Sequence, residues 1–90
     1  VVVNFPFYQE QKEEYLLREF KEEVDSEELI WHRDKKDRIV KVVESKNWMI
    51  QMDNELPIKL EEGRAYFIPK KVYHRVHKGS GRLIIKIYEY

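Results

Sequence analysis

Three side chains in this sequence have the donor chemistry to hold a divalent ion: His32, Asp34 and His74. Two imidazoles and one carboxylate leave positions open on an octahedral metal. That donor set serves non-haem iron oxygenases and suits Fe, Mn, Ni or Zn. Asp34 follows His32 at the spacing that shares a face if the stretch is extended; Asp37 is the substitute carboxylate if it is not. Arg38 complicates the set, because a guanidinium cannot ligate a cation and raises its electrostatic cost. Three roles are open to it: a clamp for an anionic ligand, an ion-pair partner of Asp34 or Asp37, or the mark of a site that has lost its metal. The plainer reading is a charged turn from Asp34 to Arg38 at a strand end. Tyr66 joins Arg38 and Asp37 as a candidate ligand contact at a pocket rim.

These residues need a scaffold that brings distant segments together. From Glu28 onward, short runs of strand-like alternation are separated by turn signals. The expected strands are Glu28–His32, Arg38–Glu44, Trp48–Met52, Pro57–Leu60, Arg64–Ile68, Tyr73–His77 and Arg82–Tyr88. So many short strands with tight loops describe a barrel or sandwich. Before them, Val1 to Phe7 is β-prone. The stretch from Tyr8 to Val24 is rich in helix formers, with Leu16, Phe20 and Val24 at intervals of four, which predicts one amphipathic helix. Trp48, Ile50 and Met52 share one strand face and Met49 and Gln51 the other, so both faces need cover, by the helix or by a second subunit. A homodimer is expected on that ground.

Gly63, Pro69 and His74 carry the spacing of a known motif, and the segment they span resembles the second conserved motif of the cupin superfamily. Lys71 stands where that motif usually has its second Gly, and Lys78 where it has Asn. The first cupin motif falls on His32, Asp34, Arg38 and Ser45, with Asp for the second His, Arg for Glu and Ser for Gly. The resemblance covers residues 28 to 88. It implies a mostly β, double-stranded β-helix (jelly-roll) barrel, here with the N-terminal helix added. The expected organisation is one domain over 1–90, with an N-terminal strand and helix over 1–24 and the barrel over 28–88. By the same analogy Met49 and Gln51 face inward, and a polar Gln51 among apolar neighbours needs a partner that a ligand could supply.

Composition narrows the partners. Seventeen basic residues balance 17 acidic ones, which gives no electrostatic reason to expect nucleic acid or a membrane. Cysteine is absent, so thiolate chemistry and disulfides are excluded. The opening valines end at Asn4 and Pro6, far short of a membrane span or signal, and the cytoplasm is the default expectation. No phosphate loop or nucleophile elbow is present. The expected function is binding of a small polar or anionic molecule in the barrel, through a divalent metal on His32, Asp34 and His74, with Arg38, Gln51, Asp37 and Tyr66 around it. A catalytic version would be a metal-assisted isomerisation, epimerisation or oxygenation. Two alternatives stand beside it. One is a metal-free binding, regulatory or assembly module. The other is a minimal Fe(II)/2-oxoglutarate oxygenase, with Arg82 placed after His74 as the co-substrate clamp.

Overall fold

Strand β3 (Arg38–Glu44) sets the pattern of the molecule: Val40 and Val42 are buried while Lys41 and Val43 face out. This alternation is what a sheet covered on one face requires. The computed structural model describes residues 6–90. It places β3 in a five-stranded sheet with β1 (Tyr8–Gln11), β2 (Leu16–Phe20), β6 (Ala65–Ile68) and β8 (Leu83–Glu89), in the order β1-β2-β8-β3-β6. A three-stranded sheet, β5-β4-β7, is built from β4 (Met49–Met52), β5 (Ile58–Lys59) and β7 (His74–His77). Every named strand pair is antiparallel.

The inner faces of the two sheets share one core. Leu83, Ile85 and Ile87 of β8 meet Val40 and Val42 of β3 on one side, with Trp48 and Ile50 on the other. Burying such a side chain contributes about 1.5–3 kcal/mol each. Trp48 is wholly buried and donates its indole N–H to the Ser80 carbonyl at 3.3 Å. Gly79 permits this turn: a Cβ there would lie 2.2 Å from the Lys46 carbonyl oxygen.

Three expectations are corrected. The predicted N-terminal helix does not form, and the described residues hold only a 3-10 turn at Ser26–Glu28, capped by the Asp25 side chain. The segment instead makes the β1–β2 hairpin, with Gln9 paired to Arg18 and β2 laid along β8. An interval of four is close to one helical turn and is also two strand periods, so Leu16 and Phe20 share a face in either geometry. The open edge of β8 decides between them, because its backbone groups gain ladder partners only from a strand. The closed barrel is likewise not found: the ladders of the described residues form two separate sheets. The expected strand over Glu28–His32 reduces to a bridge between His32 and His74. The β-prone run at Val1 to Phe7 lies largely outside the described residues. With no helix over it, the larger sheet leaves Phe67 57% exposed on its outer face.

Candidate metal and ligand site

The bridge between His32 and His74 is where the site begins. Each residue donates its backbone N–H to the other's carbonyl, at 2.9 and 2.8 Å. Residues paired this way across antiparallel strands project to the same side. Their rings accordingly meet edge to face, with centroids 4.2 Å apart. His74 opens β7 and is 3% exposed, which is unusual for an imidazole and demands partners.

Hydrogen bonds fix both rings. His74 Nδ1 lies 2.9 Å from the Val72 carbonyl, and His32 Nδ1 lies 3.1 Å from the Ile30 carbonyl. A carbonyl only accepts, so each Nδ1 carries the proton and donates it, and in a neutral ring Nε2 keeps its lone pair. Asp34 faces them. Its Oδ2 is 3.3 Å from His74 Nε2, is buried, and has no partner with hydrogen-bond geometry. One ligand atom from each of His32, Asp34 and His74 lies within 4.8 Å of the others.

The turn after β6 holds Asp34 in place. Lys71 adopts a left-handed backbone (φ 63°) and donates its N–H to the Asp34 carbonyl at 2.7 Å. That is the position where the motif resembled has a Gly, so the geometry survives although the residue does not. Asp37 strengthens the same junction. Its carboxylate accepts the Lys70 N–H at 2.8 Å, and its carbonyl accepts the Tyr90 N–H at 3.0 Å. Asp37 therefore braces the loop and is not in the cluster.

Arg38 is tied down on both sides. It reaches Asp34 Oδ1 at 3.1 Å and Glu89 Oε2 at 2.9 Å, as expected from the direct pairing of Arg38 with Glu89 across β3 and β8. Two electrostatic consequences follow. Burial works against ionising Asp34, but His74, Arg38 and His32 together outweigh it and hold the carboxyl below its ordinary value. Burial is the main cause that holds His32 below the ordinary imidazole value, with the Arg18 charge acting in the same direction.

The cluster sits at the polar end of a cavity of about 560 Å³ between the sheets. Its walls are largely aliphatic, including Val40, Ile85 and Ile87 from one sheet and Ile50 and Val76 from the other. A volume of this order suits a small molecule. His32, Asp34, Arg38 and His74 all line it; Gln51, Asp37 and Tyr66 do not. Strand β4 turns Ile50 inward, so Gln51 points away, where its oxygen is 2.8 Å from His77 Nε2 and its amide donates to the Glu55 carbonyl. The inward placement of Met49 and Gln51 is thus reversed, because Trp48 and Ile50 carry more apolar surface to bury. Tyr66 bridges a turn, donating its hydroxyl to the Lys59 carbonyl and accepting the Glu61 N–H, both at 2.9 Å. Arg82 is on the surface, paired with Glu44 at 2.8 Å and Glu19 at 3.5 Å.

One cavity residue escaped the sequence reading. Arg18 stands on the inner face of β2 and lines the cavity. On the predicted helix Arg18 would fall among the charged residues, away from the Leu16, Phe20 and Val24 stripe. The run Leu16, Arg18, Phe20 read with a period of two would have turned it inward.

No protein-family model and no curated protein matches the sequence. Solved structures do resemble the fold. A cupin domain from Bordetella pertussis superposes over 100% of this chain and 99% of its own, with a TM-score of 0.63 and 17% identity. A cupin-2 domain protein from Shewanella frigidimarina gives 0.67 and 22%, covering 100% of this chain and 85% of that one. The iron(II) form of HppE, solved with an alternative substrate, gives 0.66 and 12%, over 100% of this chain and 60% of that one. The chain has the cupin fold.

Proposed function

We propose that this protein binds a small molecule in the cavity between its sheets through a divalent metal held by His32, Asp34 and His74. One observation carries the reading: the buried Asp34 Oδ2, which makes no hydrogen bond, faces His74 Nε2 at 3.3 Å. With Nδ1–H committed to the Val72 carbonyl, a neutral His74 sets its lone pair against a carboxylate. A divalent metal between two electron-rich atoms at that distance would relieve their repulsion. Donation of the second ring N–H to a backbone carbonyl is also how metal-bound histidines are oriented. Two nitrogens and one oxygen are compatible with Fe, Mn, Ni or Zn, and the likeness to an iron(II) protein makes iron the first to test.

When bound, the metal would supply a Lewis acid to polarise or orient a ligand oxygen. The rest of the site is the chain's own work. Aliphatic walls give a ligand an apolar surface, Arg38 holds Asp34 by its other oxygen, and the two carbonyl bonds hold the imidazoles. Metal analysis of tag-free protein tests the reading. Near-stoichiometric metal is expected, removed by chelator, restored on loading, and lost in His32→Ala and His74→Ala. Failure to take up any of the four metals would overturn it.

A second reading has its own support. If His74 is protonated, its charge and that of Arg38 balance those of Asp34 and Glu89 without a metal. The cluster is then an ion-pair network in a metal-free binding module. Metal-free protein that still binds ligands in the cavity is its expected signature.

A further inference from the structure

Of the two arginines facing the cavity, one is already neutralised. Arg38 is held by two carboxylates, Asp34 and Glu89. Arg18 has no carboxylate within ion-pair distance among the described residues. Its Nε and Nη2 both donate to the uncharged Gln9 Oε1, at 2.9 and 2.6 Å. A guanidinium has five N–H donors, so the rest, including both on Nη1, are left without a partner there. Its carbon lies 3.8 Å from the centre of the Phe7 ring, which fixes the plane of the group. The register explains the setting: Arg18 lies in a row across the sheet with Gln9, Ile85 and Val42, two rows from the Arg38–Glu89 pair on the same inner face. Burial first, and then the charge of Arg38, lower the Arg18 pKa to about 10. Arg18 is half-buried with no carboxylate in contact among the described residues, and a ligand anion would give its free N–H groups a charged partner.

We propose that Arg18 is the anchor for a small monocarboxylate with an apolar body, its carboxylate on the free guanidinium N–H groups and its body against Ile50, Val76 and Ile85. This anchor requires the cavity to be the ligand chamber proposed above, but not the metal. The placement selects a monoanion: Arg18 is the cavity cation with no carboxylate in contact among the described residues, and a second carboxylate on the ligand would meet aliphatic walls or the acidic side of the cluster. The bidentate geometry of the guanidinium suits a planar carboxylate.

The test is titration by NMR of both chelator-treated and metal-loaded protein with three probes of equal chain length: hexanoate, 1-hexanol and adipate. Hexanoate should bind saturably to the chelator-treated protein, at least tenfold more tightly than 1-hexanol or adipate. Arg18→Met keeps the apolar stem over Phe7. It should weaken hexanoate at least tenfold and change 1-hexanol less than twofold. Arg18→Lys keeps the charge but loses the fork, and should fall between; it also serves if the Met variant does not fold. Hexanoate binding that is equal in wild type and Arg18→Met, in either metal state, overturns the proposal. So does hexanoate binding no tighter than 1-hexanol, or an absence of saturable binding in both states. A failure of metal loading alone leaves the titration of the chelator-treated protein intact, so the two readings fail separately.

Discussion

Replacing Asp34 by Asn removes one charge while preserving shape, and the structure separates its two consequences. The first is loss of the charge facing Arg38 at 3.1 Å, between side chains only 13% and 11% exposed, although an amide oxygen can still accept from the guanidinium. Removing one partner of a buried pair commonly costs about 3–5 kcal/mol, because the other charge is left stranded. Arg38 is not stranded here, since Nε and Nη2 still donate to Glu89 at 3.0 and 2.9 Å. The expected cost in chelated protein is therefore smaller, about 1–2 kcal/mol. The second consequence concerns the metal. At a metal concentration one hundred times its dissociation constant, binding stabilises the wild type by about 2.7 kcal/mol. For a domain of this size that raises Tm by roughly 10–20 °C. A hundredfold weaker site would shrink the gain to about 0.4 kcal/mol, or roughly 2–3 °C. Thermal melts of chelated protein with and without added Fe(II), Mn, Ni or Zn, beside metal analysis, read both numbers. An Asp34→Asn protein that keeps the full metal-dependent rise would refute the assignment of Asp34 as a ligand. One whose chelated form loses more than about 4 kcal/mol would show that Glu89 does not satisfy Arg38.

Three further outcomes are expected. Lys71→Gly should stabilise the protein by about 1 kcal/mol in urea unfolding, since Lys71 sits at φ 63° where a side chain is strained. Gly79→Ala should destabilise by about 3 kcal/mol or more by the same measurement, because its Cβ would meet the backbone of Lys46, Asn47 and Trp48 within 2.5 Å. Stability of the chelated protein should fall with pH in two stages. Folded His32 and His77 resist protonation, so below about 6.5 the unfolded chain gains protons first. Asp34 stays ionised in the folded state, so a further loss sets in below about 3.8. His32→Gln should reduce the slope of the urea midpoint between about pH 7 and 5, leaving the His77 part; an unchanged slope would contradict this account.

Much of the candidate site was legible because its parts are local. Asp34 lies two residues from His32, and the Gly63, Pro69 and His74 spacing places His74 at the head of a strand, so the cluster of His32, Asp34 and His74 needed only that strands β6 and β7 form. The partner of Arg38 was half legible: Asp34 is four residues away, whereas Glu89 is 51 residues away and is brought in by the β3–β8 register. The position of Gln51 was not legible, since β4 carries apolar residues on both faces and its alternation does not say which one turns inward.

What the sequence determined by itself is the set of strands from β3 to β8 and the donors that meet between them. Alternation and turn chemistry are properties of neighbouring residues, and no distant contact is needed to read them. What only the tertiary structure decided is the fate of residues 8 to 20 and, with it, the role of Arg18. Those residues have helix propensity worth a few tenths of a kcal/mol each. A ladder along β8 together with burial of Phe20 outweighs that preference, and the change of period turns Arg18 from an outer surface into the cavity.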